Sequence, residues 1–93
     1  MIVIHDLTID LEGNRIWRND EEILLGYQEY QVLWALLNNR GRILTHDQLL
    51  RDDDWVSTED SHHRLQVIIY RLRSKVGYSL ITTRTGIGYG ILV

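Results

Sequence analysis

The chain has 93 residues, 44% of them hydrophobic, with no cysteine, no proline and a formal net charge of −3. This length buries one modest core, so a single domain over 1–93 is expected, and the missing thiols exclude disulfides and thiolate metal sites. The N-terminus has no basic leader and no apolar run approaches about twenty residues, which excludes a signal peptide and a membrane span and predicts a soluble cytoplasmic chain. The charge is polarised: residues 1–60 hold five Arg and thirteen Asp or Glu, a net of −8, whereas residues 61–93 hold five basic residues and no acid, a net of +5. The acid-free third suits a polyanion or an acidic protein surface, and the overall acidity argues against indiscriminate nucleic-acid binding.

Apolar residues alternate over 2–10 with a phase slip at His5-Asp6, which predicts a strand carrying a bulge. Gly13-Asn14 reads as a hairpin turn, 15–18 as a second strand, Asn19-Asp20 as a second turn and 21–25 as a third strand. Together they make an antiparallel β-meander over 1–25. Tyr27, Tyr30, Leu33, Trp34 and Leu37 recur at helical spacing and predict one apolar stripe, with Gly26 as N-cap, Glu29 in the first turn and Gly41 closing the helix. Ile43-Leu44 is a brief extended link. Thr45 and Gln48 have the spacing of a capping box and open a short second helix through Leu49 and Leu50. Asp52, Asp53 and Asp54 end it, and 55–60 is a loop.

A third helix is predicted over 61–76 with Ser61 as N-cap. Leu65, Ile69, Leu72 and Val76 form its buried stripe, and Arg64, Val67, Ile68, Arg71 and Lys75 its opposite face. Residues 80–84 and 90–93 read as strands flanking a glycine-bearing loop over 85–89. A three-helix core over 26–76 followed by a hairpin over 77–93 gives an α+β chain, a helix-turn-helix with a C-terminal wing.

Leu25, Glu29-Tyr30, Leu33 and Leu36-Leu37, the run from Gly41 through Thr45-His46-Asp47-Gln48 to Leu50, Trp55, Arg71-Leu72-Arg73-Ser74-Lys75-Val76, and the wing from Thr83 to Tyr89 occur in a familiar order and spacing. With them the chain resembles, over nearly its whole length, the C-terminal effector domain of OmpR/PhoB-type response regulators, a winged helix-turn-helix. The resemblance implies a sequence-specific DNA-binding domain of a bacterial transcriptional regulator in a two-component system, with helix 61–76 in the major groove and wing 82–90 on the adjacent backbone. It further implies that the Trp55 indole reaches a phosphate and that the acidic stretch Asp52, Asp53, Asp54, Glu59 and Asp60 meets RNA polymerase. Double-stranded DNA is then the partner, together with a receiver domain or a second copy on tandem sites. Relatives begin this helix R-T-V-D-V-H-I where the chain has His63-Arg64-Leu65-Gln66-Val67-Ile68-Ile69. In the wing, Thr85 stands where relatives carry arginine, and Arg84 comes one residue earlier.

On chemistry alone, Arg64 and Arg71 suit base edges or phosphates, Gln66 suits adenine, and Val67 and Ile68 suit thymine methyls. His63, Tyr70, Arg73 and Lys75 complete that helix face, and Thr83, Arg84, Thr85 and Tyr89 give the wing its hydroxyls and charge. Two other readings stay open. The helix cations also describe an ordinary solvated C-terminus, and exposed Val67, Ile68 and Tyr70 between arginines also describe a degenerate winged helix that docks a protein. On the residues alone Trp55 is first a lid over the core, the phosphate contact being what the resemblance implies. The glycines at 86, 88 and 90 are explained by turn geometry, because no helix follows them as a dinucleotide fingerprint requires. His62 and His63 diverge by about 100° on a helix, with His5 and His46 in other elements, so no metal site is expected. The aspartate run lacks the ligand spacing of a calcium loop, and no nucleophile, base and oxyanion site occur together, so neither cofactor nor catalysis is expected.

Overall fold

The computed structural model describes residues 1–50 and 59–93. The N-terminal sheet has four antiparallel strands in chain order, β1 (Ile2–Ile4), β2 (Leu7–Asp10), β3 (Arg15–Arg18) and β4 (Glu21–Glu22). One strand more than expected arises at His5-Asp6. The chain reverses there, with His5 at φ 54° and Ile4 paired to Leu7, so the phase slip marks a two-residue turn in place of a bulge. Asn19 and Asp20 lie at φ 50° and 71° and join Arg18 to Glu21, a hairpin turn that asparagine and aspartate tolerate best. At the remaining reversal the Gly13 N–H donates to Asp10 Oδ1 at 3.0 Å. Ile4, Leu7, Ile9 and Ile16 are buried beneath the helices, as alternation requires.

Helix α1 (Tyr27–Asn38) starts at Gly26, whose backbone N–H donates to Glu29 Oε1 at 3.1 Å. Its buried stripe is Val32, Leu33, Leu36 and Leu37. The stripe is rotated from the expected one, because Tyr27 is 75% exposed and Tyr30 and Trp34 are half-buried at its margin. Trp34 satisfies its indole N–H on the Leu11 carbonyl at 3.2 Å, an option open to an aromatic at a core edge. Asn39 is the C-cap, so Gly41 lies one residue beyond the C′ position expected for it. Gly41 takes φ 88° two residues later and donates its N–H to the Ile91 carbonyl at 2.8 Å, which carries the chain into the next strand.

Strand β5 (Ile43–Thr45), expected only as a link, joins the terminal hairpin of β6 (Thr82–Arg84) and β7 (Gly88–Gly90) in a three-stranded sheet of order β5-β7-β6. Thr45 then caps α2 (His46–Leu50): its Oγ1 accepts the Gln48 N–H at 3.2 Å, and its own N–H donates to Gln48 Oε1 at 2.9 Å. Helix α3 (Glu59–Val76) contains Ser61 within it, so the N-cap expected there is displaced toward the N-terminus. Gly77 ends α3 at φ 97° with its N–H on the Arg73 carbonyl at 2.9 Å. Leu65, Ile68, Ile69, Leu72 and Val76 of α3 share one core with α1, the first sheet and Leu80, Ile81 and Ile91. Among the described residues no helix is long and apolar enough to cross a membrane.

The wing glycines do two jobs. Gly86, at φ 78° with open space around it, makes the turn, whereas Gly88 and Gly90 sit in β7 at φ values any residue adopts. A Cβ on Gly88 would strike the Leu44 carbonyl, and one on Gly90 the Arg42 carbonyl, so these two glycines exist because β5 lies against them. Gly88→Ala is therefore expected to destabilise the fold by about 3 kcal/mol, and Gly86→Ala by only about 1 kcal/mol. Urea unfolding of the two variants checks this, and equal losses would remove the close-approach role.

Candidate nucleic-acid interface

Helix α3 carries the expected face, narrower than the sequence suggested. At 100° per residue, His63, Val67, Tyr70 and Ser74 form a ridge opposite the buried stripe, and Tyr70 is 67% exposed. Val67 is half-buried and the other three are exposed. Gln66 lies on the flank nearer the wing, and Arg64 and Arg71 on the other, all three exposed. Ile68 does not belong to this surface. It is 3% exposed and packs in the core, because the side of α3 beside the main stripe is covered as well.

Arg73 and Lys75 of α3 are held by the protein itself. Arg73 donates from Nη2 to the Ile81 carbonyl at 2.8 Å and to Thr83 Oγ1 at 2.6 Å, and its guanidinium lies 6.0 Å from the centre of the Tyr89 ring. That tether fixes the first wing strand against α3. Lys75 donates from Nζ to Glu29 Oε1 at 2.6 Å and to the Leu24 carbonyl at 3.2 Å, joining α3 to the start of α1. Arg18 reaches from β3 to the Lys75 carbonyl at 3.4 Å while its Nε pairs with Asp6 at 2.9 Å, so a cation also meets the helix C-terminus. Arg73 and Lys75, both half-buried, thus spend donors on partners within the protein.

In the wing, Thr83, Arg84 and Thr85 are exposed beside α3. Tyr89 is not a loop residue: it lies in β7, is 7% exposed, and packs beneath the wing between Arg73 and His46, whose ring centre is 5.9 Å away. Arg84 pairs with Gly88 in the last register step of the hairpin, so Thr85-Gly86-Ile87 is the whole turn. Trp55, Asp52, Asp53 and Asp54 lie outside the described residues. Glu59 and Asp60, expected in a loop, fall in the first turn of α3. Sequence gives no reason to join His46 to His62, which stand in different elements. The pairing of Thr45 with Gly88 brings the start of α2 to the wing, and no local pattern announces such a pairing.

Glu29 is the buried acid of the assembly, at 8% exposure. Burial alone would push its carboxyl up, but the Lys75 and Gly26 hydrogen bonds and the charges of Lys75 and Arg71 hold it below the ordinary carboxylate range. A carboxyl depressed in the folded chain adds stability that is present above its unfolded pKa and is lost as pH falls through its folded one. Lys75→Met strands that carboxylate and should cost about 1–2 kcal/mol near neutral pH. The gap from the parent protein should close in acid, where Glu29 is protonated in both. Chemical denaturation at the two pH values measures it, and a gap that widens in acid would contradict the assignment.

Residues 20–91 match the family model described as "Transcriptional regulatory protein, C terminal". The chain is 33% identical over 98 residues to the KDP operon transcriptional regulatory protein KdpE of Escherichia coli K12, covering all of this chain and 44% of that protein. It is 32% identical over 90 residues to the response regulator protein PmrA of Pseudomonas aeruginosa, covering 97% and 41%. The chain thus spans somewhat over two-fifths of the length of these relatives. Among solved structures, the Klebsiella pneumoniae RstA DNA-binding domain in complex with the RstA box superposes with a TM-score of 0.81 at 27% identity, covering 98% of this chain and 95% of that one. Response regulator DrrB of Thermotoga maritima, an OmpR/PhoB homologue, gives 0.83 at 25% identity over 99% and 44%.

Proposed function

Because the chain belongs to the family of C-terminal domains of transcriptional regulatory proteins, of the OmpR/PhoB response-regulator type, we infer that it binds double-stranded DNA sequence-specifically and has no enzymatic role. The observation that carries the reading at residue level is the bare ridge of α3, His63, Val67, Tyr70 and Ser74, flanked by exposed Gln66, Arg64 and Arg71. A helix of this width enters the major groove with such a ridge toward the base edges, and flanking cations then lie near phosphates. Val67 and Tyr70 present apolar surface to thymine methyls, and Gln66 an amide to adenine. The wing adds Arg84, Thr83 and Thr85 on the adjacent backbone, at a spacing from α3 set by the Arg73 tether.

In this assignment Arg73, Lys75 and Tyr89 position the surface and do not touch DNA, and Ile68 belongs to the core. Arg73 and Lys75 spend their hydrogen bonds within the protein, so fewer phosphates are neutralised than the charge count implies. The protein-docking alternative is weakened by the burial of Ile68, which leaves Val67 and Tyr70 as too small an apolar strip for a stable interface. The wider assembly follows the family: a receiver domain in the remaining length of the protein, a second copy on a tandem site, and RNA polymerase against Asp52, Asp53, Asp54, Glu59 and Asp60.

The test is selection of bound duplexes from a random pool, followed by fluorescence anisotropy on the winning site across a salt series. Affinity should fall linearly in log–log form as salt rises. Arg71→Ala is expected to lose about 1–3 kcal/mol on the selected site if it makes a bidentate base contact. Tyr70→Ala should change which sequences are selected, while Lys75→Met should leave selection untouched. Failure to enrich any sequence would overturn the reading.

A further inference from the structure

Two imidazoles from different elements meet at the foot of the wing. His46 opens α2 and His62 lies near the start of α3, with ring centres 4.8 Å apart and planes inclined by 31°. Both are fixed from below. The exchange of hydrogen bonds between Thr45 and Gln48 locks the first turn of α2, and Thr45 pairs with Gly88 of the wing. Leu65, one turn beyond His62, is fully buried and sets the rotation of α3. Tyr89 closes one side, its ring edge-on to His46 at 5.9 Å and 69°. The other side opens on a cleft of about 310 Å³ lined by Thr45, His46, Asp47, His62, Gly86 and Ile87.

This placement suits a shared ion. Metal–nitrogen bonds of about 2.0–2.1 Å at a tetrahedral centre would set two imidazole ring centres about 5 Å apart, and the His46 and His62 ring centres, 4.8 Å apart, are compatible with that spacing. We propose that His46 and His62 form a two-imidazole site for a divalent transition ion of borderline softness, with zinc as its representative. Nitrogen donors favour zinc, nickel and copper over magnesium or calcium, which prefer oxygen ligands. No cluster of three or more His, Asp or Glu that could hold a metal occurs among the described residues, so such an ion would have two protein ligands and take the rest from solvent. A site with two protein ligands and open positions is an exchangeable one, unlike the closed four-ligand sites that hold small domains together. His63 points along the outer ridge, about 100° round the helix from His62, and takes no part.

Isothermal titration of the whole chain with zinc chloride, in the absence of DNA, tests the site independently of the DNA-binding reading. Cobalt(II) absorption gives a second, coordination-sensitive readout. One ion should bind per chain. His46→Gln and His62→Gln should each weaken it at least about tenfold, or about 1.4 kcal/mol, and His5→Gln and His63→Gln should leave it within about twofold, under about 0.5 kcal/mol. His62 is exposed, so its replacement leaves the fold intact, which circular dichroism verifies. No saturable one-to-one binding, or a loss with His63→Gln as large as with His62→Gln, would overturn the proposal.

Discussion

Everything on the binding side of this molecule depends on α3 being buried along one stripe and bare along the other. Leu65, Ile68, Ile69, Leu72 and Val76 fill the space between α1 and the two sheets, and each fully buried side chain of this kind contributes about 1.5–3 kcal/mol of transfer free energy. That packing fixes the rotation of α3 about its own axis, and rotation decides which residues reach a groove. A turn of 100° would exchange Val67 for Ile68 and carry Tyr70 off the crest. The exposed ridge can therefore be chemically unremarkable and still be precisely aimed, because its aim comes from the opposite side of the helix.

Polar links then hold the other parts to that helix. Arg73 fastens the first wing strand, Lys75 and Glu29 fasten the start of α1, and Arg18 joins the N-terminal sheet to the last turn. All three act near the C-terminal half of α3, where backbone carbonyls are unsatisfied and cations are favoured. The charge asymmetry of the sequence is thus partly a structural requirement. Its C-terminal cations include some on the exposed flank of α3 and some that answer Glu29 and main-chain carbonyls within the protein. Only distances separate the two groups.

Much of the fold was legible because its signals are local. Thr45 and Gln48 name a helix start, Asn19-Asp20 a tight hairpin, and Gly77 a helix end, each through the conformation or hydrogen bond that residue type supplies. What the sequence concealed was set by contacts between distant segments. Ile43 to Thr45 looks like a link until β7 pairs with it, and Tyr89 looks like a loop residue until that pairing draws it into a strand. Ile68 stands at a flank that helical periodicity leaves ambiguous, and the neighbouring elements decided its burial. The site was legible in the same proportion: the helix and hairpin were identifiable, Arg64, Gln66, Val67, Tyr70, Arg71 and Arg84 were placed on an accessible face, and Arg73, Lys75 and Tyr89 proved to be engaged inward. His46 and His62 came together only through tertiary packing.

The close approach of β5 to β7 explains where the wing lies. With glycine at 88 and 90 the strand has no side chains to separate it from β5, so the sheet is drawn in at its centre, where Tyr89 alone projects toward the core. Glycine normally loosens a strand, but here the loss is offset because close contact places Tyr89 under the Arg73 guanidinium and beside His46. The same three-stranded sheet carries Thr45 at one edge and Thr83 at the other, so it joins the start of α2 to the outer wing strand. The capped start of α2, β5 and the wing hairpin are therefore one hydrogen-bonded unit, and α3 is tied to it through Arg73.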